Sequence, residues 1–154
     1  MPKPGYALIA MMFFLVGSLM NFGPAPYGLR WNRTDSLAYT LFFRTVADPE
    51  ALERGSYVSF RHPLSQTRVA KIIVGLAHDS IAICGDEIYV HHTLRGKIQK
   101  QSPSGSQLTP IAEQTIPEGY VFVWSPHELS YDSRYEEFGL IPLHTIEDAL
   151  WPIF

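Results

Sequence analysis

A lysine stands inside the apolar run "RVAKIIVGLAHD", residues 68–79, between Val69, Ala70, Ile72, Ile73, Val74 and Leu76. Taking an ammonium out of water into such surroundings costs several kcal/mol. The same burial lowers the amine's pKa from about 10.4, by as much as about 3–5 units when burial is complete. A lysine that is neutral at working pH can act as a general base on a serine hydroxyl. A serine with suitable neighbours occurs in "NRTDSLAYTLFF", residues 32–43, where the Thr34 hydroxyl lies two positions before Ser36. A serine nucleophile needs donors for the oxyanion of its tetrahedral intermediate. The Ser36 backbone N–H and the Thr34 hydroxyl can supply them if the chain bends there. Each feature alone also has a plain structural reading. Lys71 can sit on the wet face of a half-exposed strand, and Thr-Asp-Ser can be turn chemistry that caps the next segment.

The elements that must hold these residues read as strands and turns. "SYVSF" (56–60), "RVAKIIVGL" (68–76) and "GYVFVW" (119–124) are rich in β-branched and aromatic residues. "SIAIC" and "EIYVHH" flank Gly85-Asp86 as the arms of a hairpin. "GKIQKQSPSGSQLTP" (96–110) is polar and reads as an exposed loop. "TVADPEALER" (45–54) has room for one helical turn, and "TIEDALW" (145–151) reads as a short helix near the end. Ahead of all this, "YALIAMMFFLVGSLMNF" (6–22) carries no charge over about 17 positions, or about 26 Å of helix, near the lower limit for crossing hydrocarbon. Lys3 precedes it and "GPAPYG" (23–28) stops it. An uncleaved anchor is favoured over a cleaved signal, because the apolar part is long and "NFGPAPYG" is a poor cleavage site. The expected organisation is therefore an anchor over 1–23, a linker and the start of the serine segment over 24–35, and a mostly β domain over 36–154.

Composition narrows the function classes. The chain has 154 residues, enough for one domain, with a net charge of −3 and no basic block. No nucleic-acid partner is expected. Cys84 is the single cysteine, so no intrachain disulfide can form. Neither a metal nor another cofactor is expected. His91-His92 would point to opposite faces of a strand, and "His78-Asp79" reads as a turn. No Gly-x-Ser-x-Gly elbow is present for a His-based hydrolase.

Taken in order behind the apolar segment, four stretches resemble the type I signal peptidases, the Ser-Lys membrane peptidases. Thr34-Asp35-Ser36-Leu37-Ala38-Tyr39-Thr40-Leu41 is similar to the family's Ser-x-Ser-Met-x-Pro-Thr-Leu box, and Gly55-Ser56-Tyr57-Val58 to Gly-Asp-x-Val. Lys71-Ile72-Ile73-Val74-Gly75-Leu76-Ala77-His78-Asp79 is similar to Lys-Arg-x-Val-Gly-Leu-Pro-Gly-Asp. "IPEGYVFVW", followed by "SYDSRY" and "FGLIP", is similar to the last box, Ser-x-Asp-Ser-Arg-Tyr-Phe-Gly.

The resemblance implies Ser36 as nucleophile, Lys71 as base and Thr34 as an oxyanion-hole residue. It also implies Ser130 as the serine that orients the lysine amine, and Asp132 with Arg134 as a structural ion pair beneath the site. The implied fold is a coiled antiparallel β architecture with one N-terminal transmembrane helix. Departures are specific: Tyr39 replaces the proline, Leu37 the methionine, Ile72 the arginine, and Ala77-His78 the Pro-Gly. Trp124-Ser125-Pro126-His127 stands where Gly-Asp-Asn is common, and Glu136-Glu137 separate Tyr135 from Phe138.

The compact domain, Thr34 and the His-containing stretch before "SYDSRY" look most like the TraF-type peptidases of conjugative transfer. That similarity implies a pilin precursor as substrate, with cleavage and in some members head-to-tail ring closure. The implied location is a bacterial inner membrane with the domain on the periplasmic side, in contact with the lipid bilayer. A catalytically silent, membrane-anchored scaffold of a secretion or conjugation apparatus is the alternative from another class; a general housekeeping signal peptidase is the alternative within the class. No feature of the sequence sets an oligomeric state.

Overall fold

The computed structural model describes residues 26–154 apart from residues 33, 35 and 63. The expected anchor over 1–23 lies outside the described residues. Among those described, no helix is long and apolar enough to cross a membrane.

Among the described residues, eleven strands form two antiparallel sheets. They are β1 (Tyr27–Trp31), β2 (Leu41–Val46), β3 (Tyr57–Arg61), β4 (Arg68–Gly75), β5 (Ser80–Cys84), β6 (Glu87–Val90), β7 (Thr93–Lys97), β8 (Gln114–Thr115), β9 (Tyr120–Trp124), β10 (Ile141–Pro142) and β11 (Ile146–Pro152). The large sheet runs β1-β2-β11-β3-β4-β9-β10 and the small one β7-β6-β5-β8.

Alternation along β9 explains why two cores exist. Val121 and Val123 face one cluster with Val58, Phe60, Ile73 and Phe138. Phe122 faces the other way, onto Ile81, Ile88, Val90 and Ile116 of the small-sheet side. Both faces of β9 are thus covered, which is why "YVFVW" is apolar without a polar alternate. In β4, the same alternation sends Ile73 into the first core and Val74 into the second, and the pairing with β9 shifts register between Ile73 and Gly75. Gly75 at that bulge has no room for a Cβ, which would meet Ile116 Cδ1 at 2.6 Å and Val90 Cγ1 at 2.7 Å.

The Gly85-Asp86 hairpin forms as expected, with Cys84 opposite Glu87 and Gly85 at φ 64°. The helical turn expected within 45–54 is the short 3-10 segment Pro49–Ala51, capped by Asp48, whose carboxylate accepts from the Glu50 N–H.

Three expectations need correction. "TIEDALW" is not a helix but the greater part of β11, hydrogen-bonded to β2 on one side and β3 on the other. Ile146, Ala149 and Leu150 stand at spacings that suit a helix face, but two waiting strand edges outweigh that local preference. The segment 24–35, read as a linker leading into the serine box, contains β1, paired to β2 from Tyr27↔Thr45 to Trp31↔Leu41. His91 and His92 do not lie on a strand; both occupy the turn after β6 with φ 50° and 60°. His91 Nδ1 lies 2.7 Å from Asp79 Oδ1, so this pair serves the turn.

The three adjacent strands β1, β2 and β11 are fastened beneath the site by Asp148. It pairs with Arg30 at 2.6 Å and Arg44 at 2.9 Å and accepts from the Ser59 hydroxyl at 2.7 Å. Burial works to raise the Asp148 pKa, but the Ser59 and Arg44 hydrogen bonds and the two guanidinium charges outweigh it. The carboxyl is held below its ordinary range.

Candidate active site

Lys71 lies on β4, paired with Val58 of β3, and shares a face with Val69 and Ile73. The strand alternation that buries Ile73 therefore buries Lys71, which is 4% exposed. Burial lowers its pKa to about 8; Asp132 partly opposes the shift and Arg134 adds to it. Its amine donates to Ser130 Oγ at 2.7 Å. Lys71 thus lies on a strand but not on its wet face.

Ser130 belongs to the connection between β9 and β10, and Arg134 fixes that connection from inside. Its guanidinium, 1% exposed, makes a two-pronged contact with Asp132 at 2.8 and 3.0 Å. Nη2 also donates to the carbonyls of Ser130 and His127. The other Asp132 partners are backbone N–H groups of Ser125 and Arg134. A buried ion pair contributes more to geometry than to stability, since desolvation offsets much of the attraction. Here that geometry is the position of Ser130, and through it the direction of the Lys71 amine.

Ser36 sits in the turn between β1 and β2, half-buried. Its Oγ lies 2.7 Å from Thr34 Oγ1. Thr34 Oγ1 donates to Asn32 Oδ1 at 2.9 Å, which uses its only hydrogen, so the Ser36 hydroxyl is the donor to Thr34. Asn32 holds the turn in return: its amide nitrogen donates to the carbonyls of Thr34 at 2.8 Å and Tyr39 at 3.3 Å. Leu37, next to Ser36, is buried with Phe42 and Leu150 and pins the turn to the sheet.

Ser36, Thr34, Lys71 and Ser130 line one cleft of about 830 Å³. Within it Ser36 is bonded to Thr34 and Lys71 to Ser130; no hydrogen bond joins Ser36 Oγ to Lys71 Nζ. Along this cleft, β4 pairs with β3 over residues 68–71 but meets β9 only from Ile72 onward. One backbone edge of Arg68–Lys71 is therefore free of strand pairing among the described residues.

Two contributors were not legible as site residues in the sequence. Asn32 reads there only as the start of an Asn-Arg-Thr glycosylation acceptor pattern, and its role depends on where its side chain folds back. His62 follows β3 and lines the cleft. Its Nδ1 accepts from the backbone N–H groups of Leu64 and Ser65, and its ring packs edge-on to Phe138 at 4.9 Å. Burial first, and then the charge of Lys71, lower its pKa and keep the imidazole neutral. No sequence pattern marks that histidine as a cleft residue, since the rings it packs against, Tyr131 and Phe138, come from the β9–β10 connection.

A family model described as "Signal peptidase, peptidase S26" matches residues 5–150. No curated protein matches the chain. Among solved structures, the chain is similar to a signal peptidase I from Enterococcus faecalis V583, at 22% identity, over 70% of this chain and 100% of that one, with a TM-score of 0.45.

Proposed function

We propose, from the premise that this chain belongs to the peptidase S26 signal peptidase family of serine peptidases, that it cleaves leader segments from exported precursor proteins with Ser36 and Lys71. The observation that carries this assignment is a lysine with a pKa of about 8 in the wall of the same cleft as a hydroxyl held by Thr34. At pH 7 about one such amine in ten is neutral, against about one in a few thousand for an unperturbed lysine.

In the reaction, Ser36 Oγ turns from Thr34 to the neutral Lys71 amine, gives up its proton and attacks the scissile carbonyl. The Ser36 N–H holds the oxyanion, joined by the Thr34 hydroxyl once its hydrogen turns away from Asn32 Oδ1. Lys71, now an ammonium, returns the proton to the departing amine, leaving an ester on Ser36. Water releases the shortened chain, or a chain amine does so and forms a new peptide bond. Ser130 takes one N–H of Lys71 and so directs the lone pair. The free edge of Arg68–Lys71 suits an extended substrate segment added as a strand.

The finer identity is a TraF-type peptidase acting on a conjugative pilin precursor, held at a bacterial inner membrane with this domain on the periplasmic side. The apolar run 6–22 supports the membrane part. So does an exposed apolar face near the site: Leu29, Phe43 and Trp151 stand in register across β1, β2 and β11, with Trp31, Ile153 and Phe154 beside them. Aromatic residues favour the water–lipid boundary.

Co-expression of the full chain with a conjugative pilin precursor, followed by intact-mass measurement, tests this. The expected product lacks the leader, and is lighter by one further water if its ends are joined. A precursor left intact removes the pilin assignment, and processing by the Ser36→Ala variant removes the serine assignment. The kcat/KM of the wild type is expected to rise with pH and level off above about 8, because the neutral amine is the active form. A pH-independent rate between 6 and 9 contradicts Lys71 as base.

A further inference from the structure

A second groove, of about 510 Å³, opens on the far side of Ser130. It shares Leu129, Ser130 and Tyr131 with the cleft that holds Ser36 and Lys71. Its floor is the stacked pair Tyr131 and Tyr135, with ring centres 5.7 Å apart. The far wall is the loop closed by the Gln101↔Gln107 bridge, tied to the floor where the Gln99 N–H donates to Tyr135 Oη. The side-chain amides of Gln99, Gln101 and Gln107 make no hydrogen bond to other described residues, so donors and acceptors line the groove beside Leu108 and Leu129. Glu137 is the only charged side chain in its lining among the described residues.

The direction of the chemistry says what belongs there. Peptide cleavage needs a proton delivered to the departing nitrogen, and Lys71 Nζ is its source. That nitrogen must therefore lie on the Lys71 side of the scissile carbon, while the oxyanion lies on the Ser36–Thr34 side. Lys71 Nζ is bonded to Ser130, which is the rim between the two cavities.

Resting on the peptidase assignment above, we infer that the second groove binds the substrate segment that follows the scissile bond. An amine that attacks the Ser36 ester to close a ring must approach along the same line, so the groove also holds that incoming end. Unpaired amides along apolar walls suit an extended, neutral backbone, and Glu137 disfavours acidic residues in the first few positions after the cut.

The test uses the full chain in detergent micelles and three peptides with a common upstream sequence. One ends a single residue past the scissile bond, one continues with five neutral residues, and one carries two aspartates within those five. The neutral long peptide is expected to be cut with at least a tenfold higher kcat/KM than the short one, mostly through KM. The aspartate peptide should lose most of that gain. Glu137→Gln should narrow the neutral-to-acidic ratio several-fold, and Leu108→Arg should lower kcat/KM for the long neutral peptide towards that of the short one. Equal rates for short and long peptides, with Ser36→Ala inactive, overturn the groove assignment and leave the peptidase intact. Failure of the wild type to cut any peptide faster than Ser36→Ala overturns both.

Discussion

Lys71→Met is expected to abolish peptide cleavage while making the folded domain more stable at neutral pH. Both effects come from the same burial. Removal of the base should lower kcat by at least about a thousandfold, as loss of one member of a nucleophile–base pair commonly does. The stability effect has the opposite sign. Lys71 has a pKa of about 8 in the fold against an ordinary value of 10.5. Between those pH values the unfolded chain holds the proton more firmly than the native one, so the cost of the buried amine is full below pH 8 and gone above about 10.5. Methionine fills a similar space without that cost, at the loss of the bond to Ser130. A net gain of about 2 kcal/mol below pH 8 follows from about 1.4 kcal/mol per pKa unit less one hydrogen bond. Urea unfolding at pH 7 and pH 10.5, beside a cleavage assay, checks both halves. Retained turnover in Lys71→Met removes the base assignment. A destabilised variant at pH 7 contradicts the burial argument.

Asp132→Ala should produce the largest loss of stability. Arg134 would remain 1% exposed, with hydrogen bonds to loop carbonyls but no counter-charge. Leaving one partner of a buried pair uncompensated costs about 3–5 kcal/mol, a large part of the 5–15 kcal/mol typical of a domain. A lower urea midpoint with an unchanged slope is the expected readout. The pair also acts on catalysis, because Asp132 raises the Lys71 pKa and Arg134 lowers it. In molecules that still fold, the rising limb of the pH–rate profile should move to lower pH and the maximal rate should fall as Ser130 loses its support. An unchanged midpoint for Asp132→Ala would show that the pair is not needed for the β9–β10 connection.

The local order of the strands was largely legible. "RVAKIIVGL" and "GYVFVW" are rich in β-branched and aromatic residues, and the Gly85-Asp86 pair specifies its own turn, so neighbours within a few residues decide those elements. β11 was not legible, because "TIEDALW" is compatible with a helix until β2 and β3 present edges on both sides. β1 hid for a related reason: five residues after a Pro- and Gly-rich stretch become a strand only when β2 pairs with them and Arg30 reaches Asp148, 118 positions away.

Residue types and their order along the chain, by themselves, determined the mostly β class, the expectation of a hydroxyl at Ser36 working with an amine at Lys71, and the likeness to Ser-Lys peptidases. Burial of that amine against Ser130, the stapling of Thr34 by Asn32, the neutral state of His62 and the groove beyond Ser130 were decided by tertiary structure alone. Propensity and alternation act between near neighbours. A pKa or a cavity depends on which distant side chains exclude water from the same few ångströms, and only the packed chain brings them there.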